Sequence, residues 1–291
     1  MNEKESKMIA VTGASGKLGG RVLDGLLRVV PSDQLVAIVR NPEKGGRFAS
    51  RGVRVRRGDY SEPQTLASAL AGVKRLLLVS GTDLGNRVEQ HRAVIEAAKA
   101  VGVELIAYTS LLRADSSILP IAGEHKATEE LLRASGIPYV ILRNGWYIEN
   151  YTDNLAMPLS RGTFLGAALD GRIAAATRAD YAAAAVTVLT TDEHRGKTYE
   201  LAGDHAFTLV ELAREISRWA GRTIPYKDLP APQYKQALAP VGFPAEIVEL
   251  LAATDLAIAR GDLDSNSRDL HALIARDTQS LRDVLAGLPK P

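Results

Sequence analysis

The sequence predicts an α/β fold, a doubly wound parallel sheet joined to a smaller, mainly helical C-terminal domain. Short apolar runs alternate with helix-spaced segments, glycines stand just ahead of the runs, and a glycine-rich turn follows the first of them. The runs at 8–12, 35–39, 53–55, 76–79, 105–109 and 139–142 have strand length. Being apolar on both faces, they fit a parallel sheet covered by helices on each side, which right-handed crossovers wind doubly.

The intervening segments carry helical spacing: Leu18, Val22 and Leu26 after the first run, and Val88, Val94, Ile95 and Ala98 after the fourth. Gly52, Gly72, Gly102 and Gly136 precede the third to sixth runs, where a left-handed helix cap is needed. The third run continues into Arg54, Arg56 and Arg57, so it is expected at a sheet edge, where charge discourages pairing with another chain. Beyond residue 150 the alternation loosens. Residues 177–180 lead into an alanine-rich helix and 197–202 read as a further strand, so 171–203 is expected to return to the sheet. Residues 204–291 are helical, with Leu209, Leu212, Ile216 and Trp219 on one face and breaks at Pro225, Pro230, Pro232, Pro240 and Pro244. The expected organisation is an N-terminal extension at 1–7, a Rossmann-like domain at 8–150 with 171–203, and a smaller substrate or cap domain at 151–170 and 204–291.

The chain has 291 residues, 46% hydrophobic and 24% charged, which is a globular composition with room for a large core. There is no cysteine, so thiolate nucleophiles, thiolate zinc sites and dithiol redox chemistry are excluded. Redox chemistry would need a borrowed cofactor. A net charge of +2 is too small to argue for a nucleic-acid partner. No apolar run reaches the length of a membrane span, and the charged 1–7 segment does not look like a secretory leader, so a cytoplasmic location is expected.

The strongest motif is Gly13-Ala14-Ser15-Gly16-Lys17-Leu18-Gly19, placed between the first strand and the first helix. Glycine allows the sharp turn, lets backbone N–H groups approach a pyrophosphate at the helix N-terminus, and at Gly19 lets the helix pack close to the sheet. It is not a nucleotide-triphosphate loop, because Val11 and Leu18 stand where glycine and Ser or Thr would be required. No Asp or Glu occurs between Gln34 and Pro42. Arg40 ends the second strand with Lys44 beyond it, a pair suited to a 2′-phosphate, so NADPH is favoured over NADH. Asp59 is read either as an acceptor for the adenine amine or as a turn residue.

None of the nine tyrosines is followed four residues later by lysine, so the Tyr-x-x-x-Lys acid of ordinary carbonyl reductases is missing. The corresponding helix reads Gly123-Glu124-His125-Lys126-Ala127-Thr128-Glu129, with a basic residue and a downstream glutamate but no phenol. This combination resembles the NmrA-like atypical short-chain dehydrogenases. Four separated segments carry a closer resemblance to the bacterial type 2 NAD(P)H:quinone oxidoreductases, relatives of the triphenylmethane dye reductases. They are Val36-Ala37-Ile38-Val39-Arg40-Asn41-Pro42, Ile106-Ala107-Tyr108-Thr109-Ser110-Leu111-Leu112, Leu142-Arg143-Asn144-Gly145-Trp146-Tyr147 and Ala176-Thr177-Arg178-Ala179-Asp180-Tyr181.

The resemblance implies an oxidoreductase that binds NADPH, uses no flavin and no metal, and passes hydride directly to a planar quinone. A quinone becomes aromatic on reduction and can do without a strong acid; catalysis then rests on holding donor and acceptor together. It implies cofactor binding by Gly13, Ala14, Ser15, Gly16, Lys17, Leu18, Arg40, Ser80, Gly81 and Thr82, and by Asn144, Gly145, Trp146, Tyr147, Ile148 and Glu149. Asn144, His125 and Ser110 are the catalytic candidates: His125 is either an oriented donor near the site or a structural histidine on its helix, and Ser110 or Thr109, at the end of the fifth strand, is the alternative donor. Asn144 either orients a substrate oxygen or the nicotinamide amide, or caps a turn. Leu111, Leu112, Trp146 and Tyr147 are the candidate acceptor contacts, against plain packing. Two other readings stay open: a redox-sensing regulator that binds NADP(H) without turnover, and a dye or azo reductase on the same scaffold. A homo-oligomer is compatible with all of them.

Overall fold

A computed structural model of the chain describes residues 8–291, so the segment at 1–7 lies outside the described residues. The six expected strands form: β1 (Ile9–Val11), β2 (Leu35–Val39), β3 (Arg54–Arg57), β4 (Arg75–Leu78), β5 (Leu105–Leu111) and β6 (Tyr139–Asn144). They alternate with α1 (Lys17–Leu26), α2 (Gly46–Ala49), α3 (Leu66–Leu70), α4 (Arg87–Ala100) and α5 (Ala122–Ala134). After them come α6 (Glu149–Thr152), α7 (Ala156–Arg161), β7 (Phe164–Gly166), β8 (Arg172–Ile173), α8 (Arg178–Thr190) and β9 (Thr198–Leu201). The chain continues through β10 (Phe207–Thr208), α9 (Leu209–Ala220), β11 (Tyr226–Asp228), α10 (Ala231–Leu238) and α11 (Ala245–Ala259).

The sheet runs β3-β2-β1-β4-β5-β6-β9, and the first six strands pair in parallel. The order reverses at β1, so the loops after β1 and β4 flank the crevice where such sheets bind ligands. Every residue of β1, β2, β4 and β5 is buried, as an apolar run covered on both faces requires. One face packs Val36, Ile38, Leu76, Leu78, Ile106 and Tyr108 against Leu66, Val94 and Leu132 from the helices. On the other face, α1 and α8 approach closely enough that a Cβ on Gly25 would come within 2.8 Å of Val186. The alanine-rich stretch serves that close packing.

β3 lies at the edge, as its charge predicted. Its arginines are also tied down: Arg57 pairs with Glu62 at 2.7 Å, and Arg56 donates to the carbonyls of Ala69 and Ala71. The glycines at 52, 72, 102 and 136 all have positive φ.

The chain divides into two compact units, Met1–Ala114 with Gly123–Asn144 and Arg178–Glu200, and Asp115–Ala122 with Gly145–Thr177 and Leu201–Pro291. The crossover points therefore fall at 144/145, 177/178 and 200/201, several residues ahead of or behind the 150, 171 and 203 read from the sequence, and 115–122 joins the second unit. The physical reason lies in the backbone ladders. Gly145 N–H bonds to Leu201 and Ile148 N–H to Ala176, which ties 145–150 and 171–177 to one another. In the second unit, α9 starts with a Thr208–Glu211 capping box and buries Leu209, Leu212, Ile216 and Trp219. Pro230 and Pro244 immediately precede α10 and α11, where a missing N–H costs nothing.

Candidate active site

The turn after β1 is built around two glycines. Gly13 sits at φ +58°, in the left-handed region. A Cβ on Gly19 would lie 2.5 Å from the Gly13 carbonyl oxygen, so α1 can start this close to the strand only with glycine there. Ala14 N–H is fixed on Ile38 O at 3.2 Å and Gly16 N–H on Gly13 O at 2.8 Å. α1 begins at Lys17 with no acidic side chain in its first turn, which leaves the positive end of the helix dipole uncompensated.

Arg40, the residue after β2, and Lys44 are both exposed, and among the described residues neither side chain has an ion-pair or hydrogen-bond partner. They stand as two unsatisfied cations at one strand end. Asp59 accepts the Ser61 N–H at 2.9 Å, the turn role weighed for it.

The loop after β4 is held from below. Ser80 N–H donates to Thr109 Oγ1 at 2.8 Å, and Gly81 N–H to His91 Nε2 at 2.9 Å. Tyr60 donates to Val79 O at 2.8 Å and hydrogen-bonds Thr12 Oγ1 at 2.5 Å, joining the ends of β1 and β4. Thr109 is therefore occupied as a structural acceptor.

On β5 and α5 the candidate donors already have partners. The His125 imidazole is 4% exposed, and its Nδ1 lies 2.7 Å from the Tyr108 hydroxyl. Burial, with Arg87 and His91 near by, pushes it down to about 3, so it is neutral at ordinary pH and holds no imidazolium proton to donate. The same burial pushes the Tyr108 phenol far above its ordinary value. Ser110 donates its hydroxyl to Glu129 Oε1 at 2.6 Å. His125 and Ser110 are thus each buried against a partner from another element, His125 against Tyr108 and Ser110 against Glu129. Leu112 is completely buried and Leu111 is 4% exposed, so both belong to the core in this structure and do not line an open surface.

Asn144 differs from all of them. It is 4% exposed, and its side-chain oxygen Oδ1 is buried with no hydrogen-bond partner. Leaving a buried carbonyl oxygen unmatched costs about 1–3 kcal/mol, and such an exception is accounted for by a ligand that supplies the donor. The residue before it, Arg143, forms a double hydrogen bond to Glu129, Nε to Oε1 at 2.9 Å and Nη2 to Oε2 at 2.8 Å. Arg143 also reaches Glu200 at 2.7 Å, so the end of β6 is locked.

The remaining candidates lie in the second unit. Trp146 is partly buried and hydrogen-bonded to the Tyr151 hydroxyl, which burial and the nearby Asp255 push well above its ordinary value. Tyr151 in turn packs against Phe164 and Phe207, with ring centroids 6.3 and 6.2 Å apart. Tyr147 makes a backbone bridge with Ala176, and Ile148 is buried. Among the described residues, Asp204, His271 and Asp277 bring possible metal ligands together, but Arg268 already pairs with Asp204 at 2.6 Å and supplies the cation.

Sequence reasoning missed Tyr60, Arg87, His91, Glu129 and Arg143 as members of this framework. Only Glu129 carried a signal, its place one helical turn after His125.

A family model described as NAD(P)H-binding matches residues 13–192. The chain is 49% identical over 281 residues to Quinone oxidoreductase 2 of Escherichia coli (strain K12), covering 97% of this chain and 98% of that protein. Among solved structures it matches the NADPH-dependent quinone oxidoreductase of Escherichia coli complexed with NADPH, with a TM-score of 0.93 and 49% identity over 96% of this chain and 99% of the other. The Citrobacter sp. triphenylmethane reductase complexed with NADP(H) matches with a TM-score of 0.91 and 39% identity, covering 96% and 99% of the two chains.

Proposed function

The chain belongs to the NAD(P)H-binding family, and from that premise we propose that it is an NADPH-dependent oxidoreductase that reduces a quinone by direct hydride transfer, without flavin or metal. The observation that carries the reading is the buried, unpartnered Asn144 oxygen at the end of β6, while the candidate donors His125 on α5 and Thr109 and Ser110 on β5 already have partners. An acceptor that gains aromaticity on reduction is suited to a site of that kind, whereas a ketone or alcohol would need the missing acid. The likeness to Quinone oxidoreductase 2, nearly end to end, supports the same acceptor class.

The residues fit NADPH. The Gly13–Leu18 turn and the start of α1 would hold the pyrophosphate, Arg40 and Lys44 the 2′-phosphate, and the Ser80–Thr82 loop the central part. Asn144 to Glu149 would flank the nicotinamide, with the Asn144 oxygen accepting from its carboxamide, which would satisfy the one orphaned atom at the strand end. The cofactor supplies the hydride. The protein's part is to bind, orient and exclude water, with Trp146 and Tyr147 as the aromatic surface for a planar acceptor.

The test is anaerobic NADPH oxidation by flavin-free protein with a simple benzoquinone or naphthoquinone, against a control without enzyme. Turnover well above the control is expected. Tight NADPH binding with no turnover would favour the sensor, and turnover of triphenylmethane dyes alone would favour the dye reductase. The cofactor preference gives a second expected result. Replacing Arg40 by alanine removes a charge-assisted fork from the 2′-phosphate, so kcat/KM for NADPH should fall about ten- to hundred-fold while that for NADH barely changes. Equal losses with both would remove the 2′-phosphate role.

A further inference from the structure

The Ser80–Thr82 loop owes its conformation to a histidine that touches no surface. His91, on α4, is completely buried, and its Nε2 accepts the Gly81 N–H at 2.9 Å. The ring proton is then on Nδ1, which faces Thr128 Oγ1 at 3.0 Å, and the Thr128 hydroxyl donates onward to the Glu124 carbonyl at 2.9 Å. The chain of donors runs in one direction with each acceptor used. The imidazole is wedged edge-on between Tyr60 and Tyr108, centroids 6.0 and 5.4 Å away. Beside it, Arg87 Nε donates to Gly81 O at 2.8 Å while its Nη1 pairs with Glu124 at 2.9 Å.

A trans peptide points its C=O and N–H in opposite directions, and none of the described peptide bonds is cis. Drawing Gly81 N–H onto His91 therefore turns the Ser80 carbonyl away from His91. Drawing Gly81 C=O onto Arg87 likewise turns the Thr82 N–H away from Arg87. Neither the Ser80 carbonyl nor the Thr82 N–H has a partner among the described residues.

We propose that His91 is a positioning residue for the dinucleotide, setting the Ser80 carbonyl to accept from a ribose hydroxyl and, with Arg87, the Thr82 N–H to donate to a phosphate oxygen. The inference rests on the reading that this loop holds NADPH. Burial beside Arg87 pushes the imidazole down to about 3, so the accepting lone pair is present throughout the neutral range.

Two substitutions separate positioning from packing. H91Q places an amide oxygen where Nε2 accepts, whereas H91F fills the space between the tyrosines and strands the Gly81 N–H. NADPH binding is read by its fluorescence on proteins shown to be folded by circular dichroism, without quinone. The expected result is a dissociation constant near wild type for H91Q and raised roughly tenfold or more for H91F, with the KM for quinone unchanged at saturating NADPH. Unchanged NADPH affinity in folded H91F would overturn the proposal, whereas absence of NADPH binding by the wild type would overturn the functional reading itself. If H91F does not fold, ring-nitrogen NMR of the wild-type protein decides: a proton on Nδ1 supports the proposal, and one on Nε2 refutes it.

Discussion

Replacing Glu129 by alanine is expected to lower the free energy of unfolding by about 3–5 kcal/mol, the cost of stranding a buried partner charge. The Glu129 carboxylate is completely buried on α5 and accepts from four donors: Ser110 and Arg143 Nε on one oxygen, Arg143 Nη2 and Arg133 on the other. Arg143 is itself 6% exposed. In the variant its guanidinium would lose both bonds to the buried carboxylate while keeping Glu200, whose side chain is 32% exposed, and Ser110 would lose its acceptor. The loss comes from the unmatched groups that remain and does not measure the attraction of the pair. A variant with Leu at 129 and Met at 143 should therefore recover most of it. Urea unfolding of the single and double variants checks both points. A loss below about 1 kcal/mol in the single variant would mean that water reaches Arg143 and the pair is worth no more than a surface one.

That pair also shows where the sequence stops being readable. Local periodicity ends β5 near Thr109 and β6 near Leu142, because Ser110, Arg143 and Asn144 are polar. In the structure both strands continue, with Ser110 opposite Arg143 and Leu111 opposite Asn144. What makes those polar residues acceptable in a buried ladder is a carboxylate on α5, 14 residues from Arg143 in the chain, and no window of strand length contains that information. The contact that places His125 is equally out of reach of a local window: its partner Tyr108 lies on β5, 17 residues away. His91 sits among Glu89, Gln90 and Arg92 on a helix with charged neighbours, where a histidine looks like surface. The parts that were legible are those whose requirements are local. The Gly13–Gly19 turn, the edge position of β3 and the four positive-φ glycines each depend on a few neighbouring residues, and each is found where it was expected.

The buried histidines make acid stability a sharp test of the framework. His91 and His125 have an ordinary value of 6.5 and are both pushed down to about 3 in the folded protein. The unfolded chain therefore binds two protons that the folded protein refuses, and stability is intact above about pH 6.5 and falls as the pH drops below it. His194, also lowered by burial, acts in the same direction. Asp255 opposes them. Its carboxyl is 8% exposed, and burial raises it from 3.8 to about 6, so between those values the folded protein holds one proton that the unfolded chain releases. Near pH 5 the two histidines against one aspartate leave a net uptake of about one proton on unfolding, so stability should fall by about 1.4 kcal/mol per pH unit between about pH 6 and pH 4.5. Asp204 and Glu215 are held below their ordinary values of 3.8 and 4.5, so their losses come mainly at lower pH. Urea unfolding across this range reads the slope directly. D255N should roughly double it, and the double variant H91Q/H125Q should cancel it or reverse its sign. A double variant with the wild-type slope would mean that the two imidazoles are protonated in the folded state, and the directed chain from Gly81 through His91 to Thr128 could not then exist.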